Sequence, residues 1–289
     1  MKIELDKRVA VVTGAGAGLG RSHALLLAER GAAVVVNDLS DAADEVVAHI
    51  RAKGGRAVVS NHNVAEPESA AAIVDAALQS FGRIDIVVNN AGILRDKTFV
   101  KMTIKDIEQV LRVHLFGTMF VTHAAWPYLL SQGYGRVVLT SSSSGLANSF
   151  GQANYAAAKA GMLGIMNSLK NEGRKVGVLV NVIAPVAATQ MTDGLLGERL
   201  SSISQPEHVS AAVGWLCSEA CNVTGEVIAA GAGHFAAVRM MKASGVVLDP
   251  DKPATIEEFA AVLSEVFNME GCAPYLGTLD AEVRRKLGL

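Results

Sequence analysis

The sequence is short of three things that would each commit it to a specialised class. Its only cysteines are Cys217, Cys221 and Cys272, an odd, unevenly spaced set that forms neither a disulfide framework nor a metal-ligand cluster; reduced thiols and no metal are expected. It has no apolar run of about 18 residues, so no membrane-spanning helix is predicted. It also has no cluster of like charge. A formal net charge of −2 with dispersed basic residues leaves no footprint for nucleic acid or a membrane surface. MKIELDKRVAVVTG enters a strand pattern without the apolar segment of a signal peptide, and the closing Lys286-Leu287-Gly288-Leu289 lacks a Ser-Lys-Leu type address. The expectation is a cytoplasmic protein with a small-molecule partner.

What is present describes a folded α/β chain. Half of the 289 residues are apolar, 28 are glycine and 19% are charged, a composition of compact rather than disordered or fibrous proteins. Short β-branched runs at residues 9–13, 33–38, 57–61, 84–89, 136–140, 178–183 and 227–229 alternate with helical stretches. AVVVND and RVVLTS lack polar alternation, as strands covered on both faces do. The prediction is a doubly wound, mostly parallel, seven-stranded Rossmann sheet in a single domain, residues 1–233, with a C-terminal helical extension, residues 234–289, packed on the same domain or on a dimer partner. Residues 189–205 carry neither period and read as a mobile lid. In the extension, Thr255 and Glu258 form a capping-box pattern before the apolar face of Phe259, Val262, Leu263 and Phe267.

In such sheets ligands bind beyond the carboxyl ends of the strands, and the informative residues follow strands here. Gly14, Gly16, Gly18 and Gly20 lie between the first strand and a helix, where glycine lets backbone N–H groups approach a pyrophosphate at a helix N-terminus. Asp38 ends the second strand. A carboxylate there accepts from ribose hydroxyls and repels a 2′-phosphate, which favours NAD over NADP; an ordinary Asn37-Asp38 turn is the simpler alternative. No Arg or Lys occupies Ala15, Gly16, Ala17 or Leu39, and the nearest cation, Arg21, suits a solvent-facing position.

Tyr155 and Lys159 fall at i and i+4, on one face of a helix. A neighbouring ammonium lowers a phenol from its usual pKa near ~10 toward working pH, making Tyr155 a general base for alcohol oxidation. The pair alone fits a half-buried tyrosine beside a surface lysine better. Thirteen positions upstream of Tyr155, however, Ser142 ends the fifth strand, where its hydroxyl is able to polarise a carbonyl.

Together TGAGAGLG, NNAG, Ser142, the Tyr155/Lys159 pair and Pro185-Val186-Ala187-Ala188-Thr189 resemble the signatures of the short-chain dehydrogenase/reductase superfamily over roughly Lys7 to Gly233. The resemblance implies Tyr155 as acid/base, Lys159 as its electrostatic partner and a ribose ligand, and Ser142 as the substrate-orienting hydroxyl. It further implies nucleotide contacts from Gly14, Gly16, Gly18, Leu19, Gly20, Asp38, Asn63 and Val64, from the loop of Asn89, Asn90, Ala91 and Gly92, and from Tyr155, Lys159, Pro185, Ala188 and Thr189. His114 stands where the superfamily has a catalytic Asn supporting a water behind the lysine. An imidazole of ordinary pKa would make that relay pH-sensitive, and a structural histidine fits the same apolar helix. Asn63 replaces a common Asp, and its amide oxygen is still able to accept from an adenine amino group.

VVNDL, RIDIVVNNAGILRDKTF, RVHLFG, YGRVV, SFGQANYAAAKAGMLG and IAPVAATQMT are similar to the (3R)-hydroxyacyl-CoA dehydrogenase units of type 2 multifunctional β-oxidation enzymes, a group also described as 17β-hydroxysteroid dehydrogenases, and to their single-domain bacterial relatives. This implies NAD-dependent oxidation of a (3R)-hydroxyacyl-CoA or a steroid, with the apolar group against Leu146, Phe150, Met191, Leu195 and Leu196 and the CoA phosphates near Arg95 or Arg199. A homodimer or homotetramer through the helix carrying Ala156, Ala160, Gly161 and Gly164 is implied as well. A 3-oxoacyl-carrier-protein reductase, a hydroxysteroid dehydrogenase and a non-catalytic NAD-sensing regulator stay open as alternatives.

Overall fold

Every residue of β1 (Val9–Thr13) and of β2 (Ala33–Asn37) is buried, because helices cover both faces of the sheet they belong to. The computed structural model describes residues 2–192 and 197–275, which fall into two units, Met1–Ala237 and Val238–Leu289. The first unit alternates strand and helix. α1 (Gly18–Glu29) lies between β1 and β2, and it is followed by α2 (Ala42–Ala52), β3 (Arg56–Ser60), α3 (Pro67–Phe81) and β4 (Ile86–Asn89). Then come α4 (Ile104–Leu111), α5 (Gly117–Gln132), β5 (Gly135–Thr140), α6 (Ser143–Leu146), α7 (Ala153–Gly173) and β6 (Val178–Pro185). α8 (Glu198–Ile203), α9 (Pro206–Leu216), β7 (Val227–Gly231) and β8 (His234–Val238) complete it.

The strand order is β3-β2-β1-β4-β5-β6-β7-β8, and each pairing from β3 to β7 is parallel. The chain starts at the centre, winds outward through β3, then crosses to β4. The reversal between β1 and β4 is where a doubly wound sheet opens its ligand crevice. The sheet has eight strands rather than the seven expected from sequence. Ala232 and Gly233, at φ of 49° and 76°, form the two-residue turn of a tight hairpin, and β8 returns along β7. Its residues are mostly exposed, so an edge strand of this kind leaves little hydrophobic pattern to read.

The 189–205 stretch is more ordered than its sequence suggests, with a 3₁₀ turn over Gln190–Thr192 and the helix α8; Leu195 and Leu196 lie outside the described residues. In the second unit β9 (Met241–Lys242) pairs antiparallel with β10 (Ala273–Pro274). The expected capping box is present, with Thr255 Oγ1 accepting from Glu258 N and the Glu258 carboxylate accepting from Thr255 N. The helix it starts is not continuous, however. It divides at Val262 into α10 (Ile256–Ala261) and α11 (Leu263–Val266), and Phe259 and Phe267 are exposed. Cys217 and Cys221 are buried free thiols. Among the described residues there is no metal-ligand cluster and no helix long and apolar enough to cross a membrane.

The amino end of the sheet is fixed by Asp85, whose side chain is fully buried. It accepts from Val9 N at 2.9 Å, from Arg8 at 3.1 Å and from Arg83 at 2.6 and 2.8 Å, joining the starts of β1 and β4. Removing it strands a buried N–H, leaves the Arg83 guanidinium without its carboxylate and leaves Arg8 with Glu219 alone. Asp85→Ala is therefore expected to lose on the order of 3 kcal/mol in a urea unfolding experiment, whereas Glu4→Ala, whose contact is the exposed pair with Lys2, changes stability by less than about 1 kcal/mol.

Candidate active site

The nucleotide side of the site is built where β1 and β4 end side by side. Thr13 Oγ1 accepts from the backbone N–H groups of Asn90 and Ala91 at 3.0 and 3.1 Å, and Asn90 Nδ2 donates to the carbonyls of Thr13 and Gly14 at 3.0 and 3.1 Å. This seam brings Ala91 against Gly14. A Cβ on Gly14, which sits at φ +63°, would lie 2.7 Å from Ala91 Cα, and one on Gly20 would lie 2.1 Å from Gly14 O. Asp38 Oδ2 accepts from Gly16 N at 3.0 Å, and Oδ1 accepts from Ser40 N and Oγ at 3.0 and 2.8 Å. The carboxylate thus sits at a fixed angle at the tip of β2.

A cleft of about 250 Å³ is lined by Gly14, Asp38, Asn63, Val64, Ala91 and Gly92, and also by Asn37, Leu39, His62, Ile93 and Val113. None of the last five was a candidate contact from sequence, where Asn37 entered only as part of a turn and Leu39 only as a position without a cation. Asn37 had a legible signal, a polar residue ending a wholly apolar run; its Nδ2 donates to the carbonyls of Ser60 and His62 at 2.8 Å each. The NNAG motif divides its work. Asn89 is buried and donates to Thr122 Oγ1 at 2.9 Å, so it faces α5 and not the cleft as expected. Asn90 is occupied in the seam, and Ala91 and Gly92 line the cleft. Asn63 Oδ1 accepts from Ala65 N at 3.0 Å. Across the cradle, Ala188 N donates to Ser204 O at 2.7 Å, and Thr189 Cγ2 is 3.2 Å from where a Cβ of Gly18 would be. This places the loop after Pro185 beside the start of α1. Leu19 is half-buried in the first turn of that helix. The cradle fits a dinucleotide: close backbone at a helix N-terminus for phosphates and a carboxylate at the second strand for a ribose. A larger groove of about 490 Å³, between the ends of α1 and α2, holds none of the candidate residues.

The four catalytic candidates meet at the ends of β4 and β5. Ser142 caps α6, its Oγ accepting from Ser144 N at 3.2 Å. Tyr155 is in the first turn of α7. Lys159, one turn on and buried, donates from Nζ to Thr140 O at 2.7 Å and lies 5.6 Å from the Tyr155 ring centre. His114 comes from a π-helical turn over Arg112–Phe116 and meets the Tyr155 ring edge-on at 5.1 Å and 85°. Such turns are frequent at functional sites because one extra residue per turn re-aims a side chain. The imidazole rests on Gly92, where a Cβ would be 2.1 Å from His114 Cε1. Its Nε2 is 3.0 Å from Ile93 N and 2.8 Å from Ile93 O, while Nδ1 is buried without a protein partner.

Burial governs the electrostatics. It lowers His114 from 6.5 to about 3, with the Lys159 charge adding to the effect and the Ile93 hydrogen bond opposing it. The histidine is neutral at any physiological pH, so the pH-sensitive relay expected from an ordinary imidazole is not present. Burial brings Lys159 from 10.5 to about 7. It also raises Tyr155 above its usual 10, opposed by a hydrogen bond from Ser142 and reinforced by the Asp96 carboxylate. Lys159 therefore does not by itself depress the phenol as the i, i+4 spacing suggested; among the protein groups, Ser142 does.

Residues 8–198 match the family model described as short chain dehydrogenase. The peroxisomal multifunctional enzyme type 2 of Drosophila melanogaster is 46% identical over 290 residues, covering 96% of this chain and 48% of that protein. The structure of the full-length fly enzyme superposes with a TM-score of 0.84 at 42% identity, covering 99% of this chain and 49% of that one. The chain thus spans about half the length of this relative. A hydroxyacyl-CoA dehydrogenase of Mycobacterium tuberculosis is 37% identical over 89% of this chain and 90% of its own length. A 3-oxoacyl-[acyl-carrier-protein] reductase of Synechocystis sp. is 40% identical over 77% and 94%.

A second buried histidine shares the fate of His114. His23 on α1 is 2.7 Å from Ser210 Oγ on α9, and burial lowers it from 6.5 to about 3. Both pKa values are depressed on folding, so the unfolded chain binds more protons below 6.5 and stability falls with pH from there toward 3. Unfolding near pH 5 should place about one proton from solvent on each histidine, measurable as the slope of unfolding free energy against pH. A slope unchanged in both His23→Gln and His114→Gln would contradict this assignment.

Proposed function

This chain belongs to the short-chain dehydrogenase family, oxidoreductases acting on CH–OH groups, and from that premise we propose that it oxidises a (3R)-hydroxyacyl-CoA to the 3-oxoacyl-CoA with NAD. The observation that carries the reading is the meeting of Ser142 and Tyr155, two hydroxyls that bear on each other and are able to address one substrate oxygen. Ser142 Oγ accepts from Ser144 N, and its own hydrogen, which bears on Tyr155, turns to that oxygen when substrate is bound. Tyr155 takes the alcohol proton as the C–H bond breaks. Lys159, brought down to about 7 by burial and anchored on Thr140 O, passes a proton onward. His114, neutral throughout, holds the phenol ring by its edge and presents Nδ1 as a relay position. NAD, held by Gly14, Gly16, Gly18, Leu19, Gly20, Asp38, Asn63, Val64, Asn90, Ala91, Gly92, Pro185, Ala188 and Thr189 together with Tyr155 and Lys159, supplies the hydride acceptor when bound.

The hydroxyacyl thioester is favoured over other alcohols by the name of the mycobacterial relative, and Phe150 at 88% and Met191 at 39% exposure, with half-buried Leu146, are the apolar side chains offered to its acyl group. A steroid would use the same side chains. Arg95 donates to Leu94 O at 2.7 Å and Arg199 stands exposed on α8; either is able to meet a CoA phosphate. The reductase relative supports the reverse, reductive reaction; were that reaction to use NADPH, the fixed Asp38 carboxylate would disfavour it. Self-association would use α7 at Gly164, which is open, and not at Gly161, which faces Leu115 of its own chain.

Three measurements test the reading. NAD should be reduced with short- to long-chain (3R)-hydroxyacyl-CoA at least about 100-fold more efficiently than NADP, since a carboxylate facing a 2′-phosphate costs several kcal/mol, and Asp38→Ser should narrow that ratio. Tyr155→Phe should lower kcat by about 10²–10⁴. Because burial holds Tyr155 above its ordinary value, kcat/KM for oxidation should climb with pH above neutral. Preference for NADP, or a Tyr155→Phe enzyme as active as the wild type, would sink the proposal.

A further inference from the structure

Behind the catalytic side chains runs a hydrogen-bond chain that the proposed reaction has not used. Gln152 Nε2 donates to Asp96 Oδ2 at 2.6 Å, and Gln152 Oε1 accepts from Ser144 Oγ at 2.8 Å. Ser144 N in turn donates to Ser142 Oγ at 3.2 Å. Gln152 is the first residue of the α7 cap, its carbonyl accepting from Ala156 N at 2.7 Å, yet its side chain makes no capping bond to that helix. Both polar ends of the amide are directed across the site instead. They reach the segment after β4 on one side and the segment after β5 on the other.

The Asp96 end is held although the residue is exposed. Lys97 N donates to Gly151 O at 2.9 Å, and Asn154 Nδ2 donates to the carbonyls of Arg95 and Asp106 at 3.4 and 3.2 Å. Lys97 Nζ is engaged by Asp106 Oδ2 at 2.8 Å, so it does not neutralise its neighbour Asp96. The groups that bear on the Tyr155 phenol are then few: Ser142, the neutral edge of His114, Lys159 at 5.6 Å from the ring centre, and the Asp96 carboxylate.

We propose that Gln152 is a positioning residue for the oxidation: its amide sets the direction of the Ser142 hydroxyl through Ser144 and keeps the Asp96 carboxylate beside Tyr155. The proposal rests on the functional reading above. The Asp96 carboxylate, held by Gln152 Nε2, disfavours the phenolate through its charge, so Asp96 acts as a brake that sets the pH at which Tyr155 becomes a base. The chain also couples the two hydroxyls that share one substrate oxygen, because Gln152, at the cap of the helix carrying Tyr155, is bonded through Ser144 to the segment carrying Ser142. A 1 Å error in their relation is enough to cost about 10² in rate.

The test uses four variants and two readouts. Asp96→Asn keeps an acceptor for Gln152 Nε2 and removes the charge; its kcat/KM–pH profile should move to lower pH with kcat retained or raised. Gln152→Ala cuts the chain and should lower kcat about tenfold with KM changed less than about twofold and no fall in Tm. Gln152→Glu places two carboxylates together and should be impaired, while Gln152→Glu combined with Asp96→Asn restores the chain in the opposite sense and should recover kcat. Independently of any substrate, the Tyr155 phenol is followed by NMR of ring-carbon-labelled tyrosine, assigned with Tyr155→Phe; its midpoint should fall in Asp96→Asn. If that midpoint and the kinetic profiles of Asp96→Asn and Gln152→Ala match the wild type while Tyr155→Phe is inactive, the positioning role is wrong and the functional reading stands. If no 3-hydroxyacyl-CoA reduces NAD but the phenol midpoint still moves, the network is as described and the substrate is not.

Discussion

The site depends on the seam between Thr13-Gly14 and Asn90-Ala91. Four hydrogen bonds of 3.0–3.1 Å tie the ends of β1 and β4 at the point where strand order reverses, where no sheet hydrogen bonding continues past Asn89. The seam seats Gly14 against Ala91 and so shapes the nucleotide cradle. It also fixes Gly92, on which His114 rests, and His114 meets Tyr155 by its ring edge. One set of side chain-to-backbone bonds therefore registers the cofactor side of the crevice with the chemical side.

The second constraint is the burial of the ionisable groups. Each of three groups is displaced toward its neutral form: Lys159 down to about 7, His114 down to about 3, and Tyr155 up. The pocket is thereby poor in fixed charge at neutral pH. In such a setting single groups at the margin matter, because a low local dielectric magnifies each of them. Ser142, through its hydrogen bond, and Asp96, through its charge, act on the phenol in opposite directions. Both are reached through the same glutamine.

The sequence was most legible where chemistry and local geometry coincide. The first strand was placed to the residue because a run buried on both faces has one unbroken pattern. The glycine loop could be read because the close approach of Gly14 and Gly20 to other backbone forbids a side chain. Tyr155 and Lys159 could be read because helical spacing alone places them together. What escaped depends on partners distant in sequence. Asn89 and Asn90 look alike in a string, and only α5 on one side and β1 on the other give them different work. Asp96 and Gln152 are 56 positions apart, and although each lies in a run that resembles the family, neither run reports that the two touch. The titration of His114 follows from its burial beside Lys159, which no local pattern reports. β8 and the break at Val262 were missed because exposed elements need little hydrophobic periodicity.

The central claim is that Ser142 and Tyr155 present two hydroxyls to one oxygen on a fixed face of the nucleotide crevice, which makes the reaction stereospecific as well as NAD-linked. The most direct measurement is the rate of NADH formation with the two enantiomers of one 3-hydroxyacyl-CoA, supplied separately to the purified protein. The account predicts turnover of the (3R) form, with the (3S) form slower by at least about 100-fold, the scale set by a misplaced reacting centre. Equal rates for the two enantiomers, or faster oxidation of the (3S) form, would contradict it.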